Sequence, residues 1–459
     1  MPQFVEPATQ RVPRRPCPLS SGHIQAGRHL GTNAEVAAWK GGSTEPLTPR
    51  TPRVGHMKRA WFLLAAGCAA AGPICAQAVE TPEGFLGNLT PIMESIQRER
   101  GYALDYAHKG ALPFEQWRQR GREAVERALS YAPKPVPLDL KVHRTEKRKG
   151  YELRAISFAG SAHYRIPAFL LVPESGRPPY PAVVAFHDHG AYFYFGKEKI
   201  VELDRQHASL TAYKETYYGG RSFASDLARR GFVVIVIDAF YWGERRVQYQ
   251  DPPSGWRNAI AGLDPASTRY IDAVNRYLDE RTADLIMQLS FNGINWIGIV
   301  NRDDRRSVDL LASLPFVDPK RIGCLGLSGG AFRSTYLAGM DFRIRAAVIT
   351  GWMSTLPSTG HIPYSTHSDM YDAFGLHSVL DHPDVATLGA PECAILVQNC
   401  KRDRLFTRDG MAQAAAKIQN VYAKEGHPER FRAESYDAPH SFTVAMQEDA
   451  FAWLEKWLR

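Results

Sequence analysis

The stretch RIGCLGLSGGAF, residues 321–332, decides how the rest of the sequence is interpreted. Its first seven residues are mostly apolar and predict a buried strand, and the residues after Ser328 predict a helix. Gly326, Gly329 and Gly330 surround the one hydroxyl. A strand that turns sharply into a helix needs glycines here, because strand and helix pass each other closely. The pattern therefore predicts a serine lifted clear of the edge of a sheet.

A serine hydroxyl is a weak nucleophile unless a base removes its proton, and the base needs an acidic group to orient it. For a serine on such a turn, the chain order is Ser, then Asp or Glu, then His. ILVQNCKRDRLF places Asp403 just past a strand, and SYDAPHSF places His440 after the last predicted strand. We predict a triad of these three residues. Asp437 is the alternative acid, but it lies on the same turn as His440.

Apolar strands and helices alternate on both sides of this stretch. Eight strands are predicted, at residues 152–160, 166–174, 181–190, 232–240, 321–328, 344–352, 392–400 and 431–438. Near-continuous apolar strands alternating with helices indicate an α/β fold, with a mostly parallel sheet of about eight strands covered by helices on both faces. In such sheets, functional groups gather at the carboxyl ends of the strands.

The regular alternation covers only part of the chain. Residues 79–134 show helical spacing and predict a helical N-terminal extension, and residues 135–459 predict the catalytic domain. Two insertions, 244–296 and 353–391, leave from strand ends at the edge that carries the predicted triad. They either form a cap that shapes a substrate pocket or simply pack over the sheet.

The N-terminal residues do not resemble folded protein. Residues 1–56 contain eight prolines and no apolar periodicity, which predicts a disordered leader or an over-long gene start. Residues 57–78 have a basic start, an apolar middle and a small-residue end, which predicts a bacterial signal peptide beginning at Met57. The apolar part is short for a membrane crossing. We expect a secreted or periplasmic protein without stable membrane insertion.

Charge and cysteine content exclude several other classes. The net charge is +8, but residues 1–78 hold nine Lys/Arg and three Asp/Glu, which account for +6 of it. The remainder offers no basic surface for nucleic acid. Cys324, Cys393 and Cys400 remain after cleavage, and an extended strand would hold the last two about 20 Å apart, too far for a disulfide. We predict neither a disulfide nor a metal or other cofactor.

Acyl transfer also needs hydrogen-bond donors aimed at the oxygen that becomes negative. The N–H of Gly329 is one predicted donor, and the N–H of Ala191 is the second, since Gly190 lets the chain turn there. Neighbouring side chains of 187–189 point in alternating directions, so we expect no shared metal ion and assign Asp188 to bracing the loop. The candidates for the substrate pocket follow strand ends: His189, Tyr192, Trp242 and Trp352.

Four motifs together resemble one superfamily. HDHGAYFYFGKEK, IDAFYWGERR, VDPKRIGCLGLSGG and APHSF are similar to the α/β-hydrolases, in particular to acetyl-xylan-esterase-like and dienelactone-hydrolase-like proteins, over residues 135–459. The resemblance implies the α/β-hydrolase fold, with Ser328 as nucleophile, Asp403 as acid and His440 as base. Dienelactone hydrolases carry a cysteine nucleophile where this chain has serine.

Three hypotheses on function follow. The leading one is a secreted serine ester hydrolase that works through an acyl-enzyme on a small-molecule or carbohydrate ester, for example an acetyl ester. A prolyl-oligopeptidase-like peptidase is the first alternative, but the N-terminal extension is too short for the β-propeller of those enzymes. The second alternative is a non-catalytic binding protein on a hydrolase fold, and the presence of all three triad residues counts against it.

Overall fold

The computed structural model describes residues 87–359, 369–371 and 373–459. The predicted leader, residues 1–56, and the predicted signal peptide, residues 57–78, lie outside this range. The start of the N-terminal extension and part of the second insertion lie outside it as well.

One sheet of nine strands runs through the described residues. The strands are β1 (Lys141–Arg148), β2 (Tyr151–Ala159), β3 (Arg165–Pro173), β4 (Tyr180–Phe186), β5 (Val233–Ile237), β6 (Val317–Leu327), β7 (Ile344–Thr350), β8 (Ala394–Cys400) and β9 (Phe431–Tyr436). Their order across the sheet is β1-β2-β3-β5-β4-β6-β7-β8-β9. The pairs among β1, β2, β3 and β5 are antiparallel, and those from β5 through β4 to β9 are parallel. The prediction of a mostly parallel sheet is confirmed, with β1 as one further strand.

Helices connect most of the strands. They are α1 (Thr90–Arg100), α2 (Phe114–Leu129), α3 (Ala208–Tyr218), α4 (Phe223–Arg229), α5 (Ser254–Ile260), α6 (Thr268–Asp279), α7 (Thr282–Phe291), α8 (Trp296–Ser313), α9 (Gly329–Met340), α10 (Leu356–Thr359), α11 (His382–Thr387), α12 (Arg408–Lys424) and α13 (Val444–Leu458). The N-terminal extension holds α1 and α2, the first insertion holds α5 to α7, and the second holds α10 and α11.

Helices cover both faces of the sheet, as predicted. Side chains alternate along each strand, so Val184 of β4 joins one hydrophobic core and Val183 the other. The first core receives α2, α8, α9, α11 and α12, and the second receives α3, α4 and α13. A sheet buried on both faces explains why its central strands are almost continuously apolar.

The helices that follow β8 and β9 begin at side-chain caps. The Thr407 hydroxyl accepts a hydrogen bond from Gly410 N–H at 3.1 Å, and the Thr443 hydroxyl accepts one from Met446 N–H at 3.4 Å. Such caps satisfy N–H groups that the first helical turn leaves free. They fix where α12 and α13 start, and therefore how long the preceding loops are.

Two further sequence predictions concern the whole described chain. Cys324, Cys393 and Cys400 are buried and free. Within residues 87–359, 369–371 and 373–459, no helix combines the length and apolar character needed to cross a membrane.

Candidate active site

Ser328 occupies the turn between β6 and α9, which we call the elbow (residues 326–330). Its backbone has φ 55° and ψ −120°, a conformation that costs energy for any residue with a side chain. A Cβ on Gly326 would lie 2.6 Å from the carbonyl carbon of Gly330, and one on Gly330 would lie 2.6 Å from Phe186 O. No side chain fits at either position. The elbow therefore has the geometry that its glycines predict.

The helix behind the elbow is held by a buried ion pair. Arg333 Nη2 lies 2.6 Å from Asp304 Oδ1 of α8, and both side chains are almost inaccessible. The guanidinium also lies over the ring of Phe186, at 4.3 Å. Because α9 begins directly after Ser328, fixing this helix fixes the position of the serine.

Asp403 and His440 lie in the loops that follow β8 and β9, and they are hydrogen-bonded. His440 Nδ1 is 2.7 Å from Asp403 Oδ2, and the other carboxylate oxygen accepts from Leu405 N–H at 2.9 Å. This partner assigns the imidazole proton to Nδ1 and leaves Nε2 as an acceptor. Asp437, the alternative acid, pairs with Arg402 at 3.0 Å, and its side chain is 80% exposed.

The imidazole and the elbow meet at the end of β7. Ser328 N–H donates to Thr350 O at 2.9 Å. A Cβ on the next residue, Gly351, would lie 3.4 Å from Cε1 of His440. The structure thus brings Ser328 and His440 to successive residues at one strand end, with Asp403 behind the imidazole.

The electrostatic surroundings favour proton uptake by His440. Burial alone would lower the pKa of this imidazole. The charge of Asp403 and its hydrogen bond outweigh burial, with a smaller contribution from the charge of Asp188, so the pKa of His440 is raised above its ordinary value.

The loop after β4 (residues 187–199) presents a different N–H group from the predicted one. Ala191 is exposed, and its N–H already donates to His189 Nδ1 at 2.9 Å. The backbone nitrogen of His189 lies 3.1 Å from the point that a Cβ on Gly329 would occupy. The structure therefore places His189 N–H, and not Ala191 N–H, beside the residue that follows the serine.

Buried side chains set the direction of that N–H. Lys199 Nζ donates to Asp188 O and to His189 O, both at 2.9 Å, and His187 Nδ1 lies 2.8 Å from Asp188 O. The C=O and N–H of a trans peptide point in opposite directions. Holding Asp188 O on the side of Lys199 therefore turns His189 N–H away from Lys199.

Asp188 braces the loop, as predicted. The hydroxyls of Tyr213 and Tyr218, both on α3, donate to its two carboxylate oxygens, the second at 2.5 Å. Burial, and then the charge of Asp188, raise the pKa of both tyrosines well above its ordinary value. The two phenols therefore remain protonated, and they donate hydrogen bonds to a carboxylate that is only 2% exposed.

Comparisons with known proteins agree with this architecture. No protein-family model matches the chain. A Bacillus subtilis (strain 168) protein named "Putative hydrolase YtaP" is 22% identical over 346 residues, which is 74% of this chain and 100% of that protein. A putative acetyl xylan esterase from Bacteroides fragilis NCTC 9343 has a TM-score of 0.55 at 16% identity, over 75% of this chain and 81% of that one. The glucuronoyl esterase from Solibacter usitatus has a TM-score of 0.50 at 13% identity, over 75% and 94% of the two chains.

The chain has the α/β-hydrolase fold. The fold implied by the four sequence motifs is therefore confirmed. Within this fold, the elbow follows β6, and the two loops that hold Asp403 and His440 follow β8 and β9.

The pocket candidates His189 and Trp352 carry donors that have no acceptor among the described residues, and Tyr192 Oη is likewise buried without a partner. His189 Nδ1 accepts from Ala191 N–H, so the imidazole proton is on Nε2, which is buried and unpartnered. Burial, with the charge of Lys199, lowers the pKa of His189 to about 3, so the ring is neutral. Trp352 Nε1 is likewise buried without a partner. Neither atom is accessible to solvent in this structure.

The other two pocket candidates pack inside the protein. The Trp242 indole donates to His189 O at 3.3 Å and is 1% exposed. Tyr192 stacks on Tyr213 with ring centroids 4.5 Å apart. We therefore assign Trp242 and Tyr192 to the support of the loop rather than to its open surface.

Tyr371 is a residue that sequence reasoning missed. Its ring lies 4.7 Å from that of Trp352 and 4.8 Å from that of Phe332, and its Oη overlaps the position that a Cβ on Gly329 would take. The tyrosine lies in the second insertion, where no motif surrounds it. Only the fold brings it to the elbow.

One group of carboxylates among the described residues resembles a metal site. Oxygens of Glu198, Asp238 and Glu244 lie within 4.8 Å of one another. The ammonium of Lys197 lies among them, 2.8 Å from Asp238, 2.5 Å from Glu244 and 2.9 Å from Glu198. An ammonium thus supplies the positive charge that a metal ion would bring. The cluster ties the loop after β4 to the end of β5.

Proposed function

We propose that this protein is a serine ester hydrolase in which Ser328 is the nucleophile, His440 the base and Asp403 the group that orients it. The observation that carries the proposal is the 2.7 Å hydrogen bond from His440 Nδ1 to Asp403. It leaves Nε2 free at the strand end where the elbow presents the serine. The raised pKa of His440 makes the imidazole a stronger base than free histidine.

The reaction has two halves. His440 Nε2 takes the hydroxyl proton as Ser328 Oγ bonds to the ester carbonyl carbon, and the carbonyl oxygen becomes negative. His440 then gives the proton to the leaving alcohol oxygen, and the C–O bond of the ester breaks to leave an acyl-enzyme. Water attacks this acyl group while His440 takes one of its protons. The proton returns to Ser328 Oγ as the carboxylic acid leaves.

Two backbone donors stabilise the negative oxygen in this proposal. Gly329 N–H is one, at the start of α9. His189 N–H is the second and replaces Ala191, whose N–H is engaged by the His189 imidazole. Donors that are already in place need no rearrangement when charge develops, which is why they accelerate the reaction.

We propose an ester of a carbohydrate as the substrate. Two structures with the same fold are named as a putative acetyl xylan esterase and a glucuronoyl esterase. Export, which the sequence of residues 57–78 predicts, suits a polymer that cannot enter a cell.

Hydrolysis by wild type and by Ser328→Ala tests the proposal. The substrates are p-nitrophenyl acetate, longer acyl esters, feruloyl esters, methyl glucuronate esters and acetylated xylan, with a proline-containing peptide as the alternative. Loss of the nucleophile should lower kcat by about 10⁵-fold or more. A fluorophosphonate should label wild type and not the variant.

Ser307→Ala is the matched control, because its hydroxyl donates to Asp303 O inside α8, away from the elbow. It should keep wild-type activity and labelling. If Ser328→Ala hydrolyses esters as fast as wild type, the proposed mechanism is wrong. Turnover of the peptide without turnover of any ester would favour a peptidase instead.

A further inference from the structure

We propose that the hydroxyl of Tyr371 is a third donor to the negative oxygen that forms at Ser328. It would be a side-chain donor, in addition to the backbone N–H groups of Gly329 and His189. The inference rests on the proposed ester hydrolase function and adds a catalytic residue to it.

The first argument is position. Tyr371 Oη lies closer to the Cβ position of Gly329 than real contacts allow, and His189 N lies 3.1 Å from the same point. Standard backbone geometry puts a Cβ about 2.5 Å from its own nitrogen, so Oη lies within about 5 Å of Gly329 N. The hydroxyl and both backbone donors thus border one small space. The hydroxyl also explains why Gly329 has no side chain.

The second argument is that the hydroxyl has no acceptor of its own. Tyr371 is only 7% exposed, yet its Oη makes no hydrogen bond to any residue in 87–359, 369–371 or 373–459. The Oη atom is not among the fully buried unpaired polar atoms of the described residues, so a hydrogen-bond partner can still reach it. An oxygen that appears during the reaction would be such a partner.

The third argument is that the ring is held in place. Phe332 of α9, Trp352 after β7 and Trp296 of α8 pack around it, with ring centroids 4.8, 4.7 and 5.8 Å away. A donor that is fixed before the reaction gives up no freedom when the charge forms. The hydroxyl therefore meets the requirement for a donor to a transition state.

The chemistry is donation of a hydrogen bond without transfer of the proton. Burial, followed by the charge of Asp188, raises the pKa of Tyr371 well above its ordinary value. The phenol therefore keeps its proton throughout the cycle. It stabilises the oxygen most strongly when that oxygen is negative, so its contribution is larger in the transition state than in the bound ester.

Tyr371→Phe tests the proposal, since it removes only the hydroxyl and keeps the ring. We expect kcat to fall about 100-fold with KM changed less than about threefold, because the lost interaction belongs to the transition state. A boronic acid that mimics the tetrahedral state should bind more weakly by a similar factor. Tyr151→Phe is the matched control: its buried hydroxyl donates to Ser225, and its loss should leave kcat unchanged.

The possible results are distinct. A fall in kcat of less than about tenfold, or a loss confined to KM, would overturn the role of Tyr371 while Ser328→Ala remains inactive and the esterase proposal stands. An active Ser328→Ala would overturn both proposals. A crystal structure of wild type with the boronic acid gives an answer that does not depend on the variant folding. We expect Tyr371 Oη within about 3.2 Å of a boronate oxygen, and a clearly longer distance would contradict the inference.

Discussion

The elbow and the loop after β4 lie close together, with His189 N 3.1 Å from the Cβ position of Gly329, but they are built differently. The elbow relies on its own backbone: Ser328 has φ 55°, and the glycines on either side let strand and helix touch. The loop relies on distant side chains. Lys199 and His187 hold the carbonyl of Asp188, and the opposite end of that peptide is the N–H of His189.

This difference decides what a substitution does in each region. In the elbow, the obstacle to a side chain is backbone, such as Gly330 C and Phe186 O, which cannot move aside without shifting β4 or α9. In the loop, the direction of one peptide depends on an ammonium that could be removed while the strands stay where they are. Substitutions in the elbow should therefore lower the stability of the fold, and substitutions in the loop should lower the rate of catalysis.

The largest expected effect comes from Gly326→Ala. The new Cβ would lie 2.6 Å from Gly330 C, so strand and helix must separate. We expect a loss of about 3 kcal/mol in the free energy of unfolding, measured in urea, together with complete loss of ester hydrolysis. Gly255→Ala in α5 is the control. Its Cβ would make only ordinary contacts from 3.5 Å outward, so it should be neutral or slightly stabilising. Normal stability and activity in Gly326→Ala would show that close backbone contact does not require a glycine at this position.

Sequence reasoning located the elbow and the edge of the sheet because both are local patterns. The turn could be predicted from the apolar run and from the glycines at 326 and 330, which are all close together in the sequence. Asp403 and His440 could be singled out as candidates because each follows a predicted strand, and parallel strands end at one edge. The central strands β4, β5, β7 and β8 could be predicted because strands buried on both faces are apolar along almost their whole length.

The rest depended on contacts that a sequence does not display. β1 reads KVHRTEKR and lies exposed at the edge of the sheet, so it has no apolar pattern to detect. Ala191 was the predicted donor because Gly190 precedes it. The donor that faces Gly329 is His189 N–H, and its direction is set by Lys199, ten residues further along the chain. Tyr371 reaches the elbow only through the packing of the second insertion.

Lys199→Met tests the loop side of the comparison. Without the ammonium, Asp188 O loses one of its two donors, so His189 N–H is no longer held towards Gly329. We expect kcat to fall about 100-fold, with a smaller change in KM. Burial, the largest cause, lowers the pKa of Lys199 to about 8, so the charged form costs folding free energy at pH 7. Removing it should therefore change the melting temperature little.

Lys214→Met is the matched control for that experiment. Lys214 is also buried, its pKa is also lowered to about 8 by burial, and its Nζ donates to Val201 O at 2.7 Å. This variant should resemble Lys199→Met in melting temperature and wild type in kcat. Equal losses of activity in both lysine variants would mean that the loss follows from lower folding stability and not from the direction of the His189 N–H. The contrast between the loop and the elbow would then be wrong.

The smallest expected effect is a change in the pKa of His440, the proposed base. Its pKa is raised because Asp403 outweighs burial, so kcat/KM should fall on acidification at a pH above about 6.5, the value for free histidine. The stabilisation from the protonated imidazole is complete below that pH and is lost as the pH rises through the raised pKa. In Asp403→Asn, burial remains and the charge is gone, so the pKa of His440 should drop below its ordinary value. NMR titration of labelled histidine measures this pKa without any need for activity.

Asp437→Asn is the control and should leave the pKa of His440 unchanged, because that carboxylate faces solvent beside Arg402. A shift in the pKa of His440 caused by Asp437→Asn and not by Asp403→Asn would show that Asp437 is the orienting acid, and would contradict the assignment of Asp403.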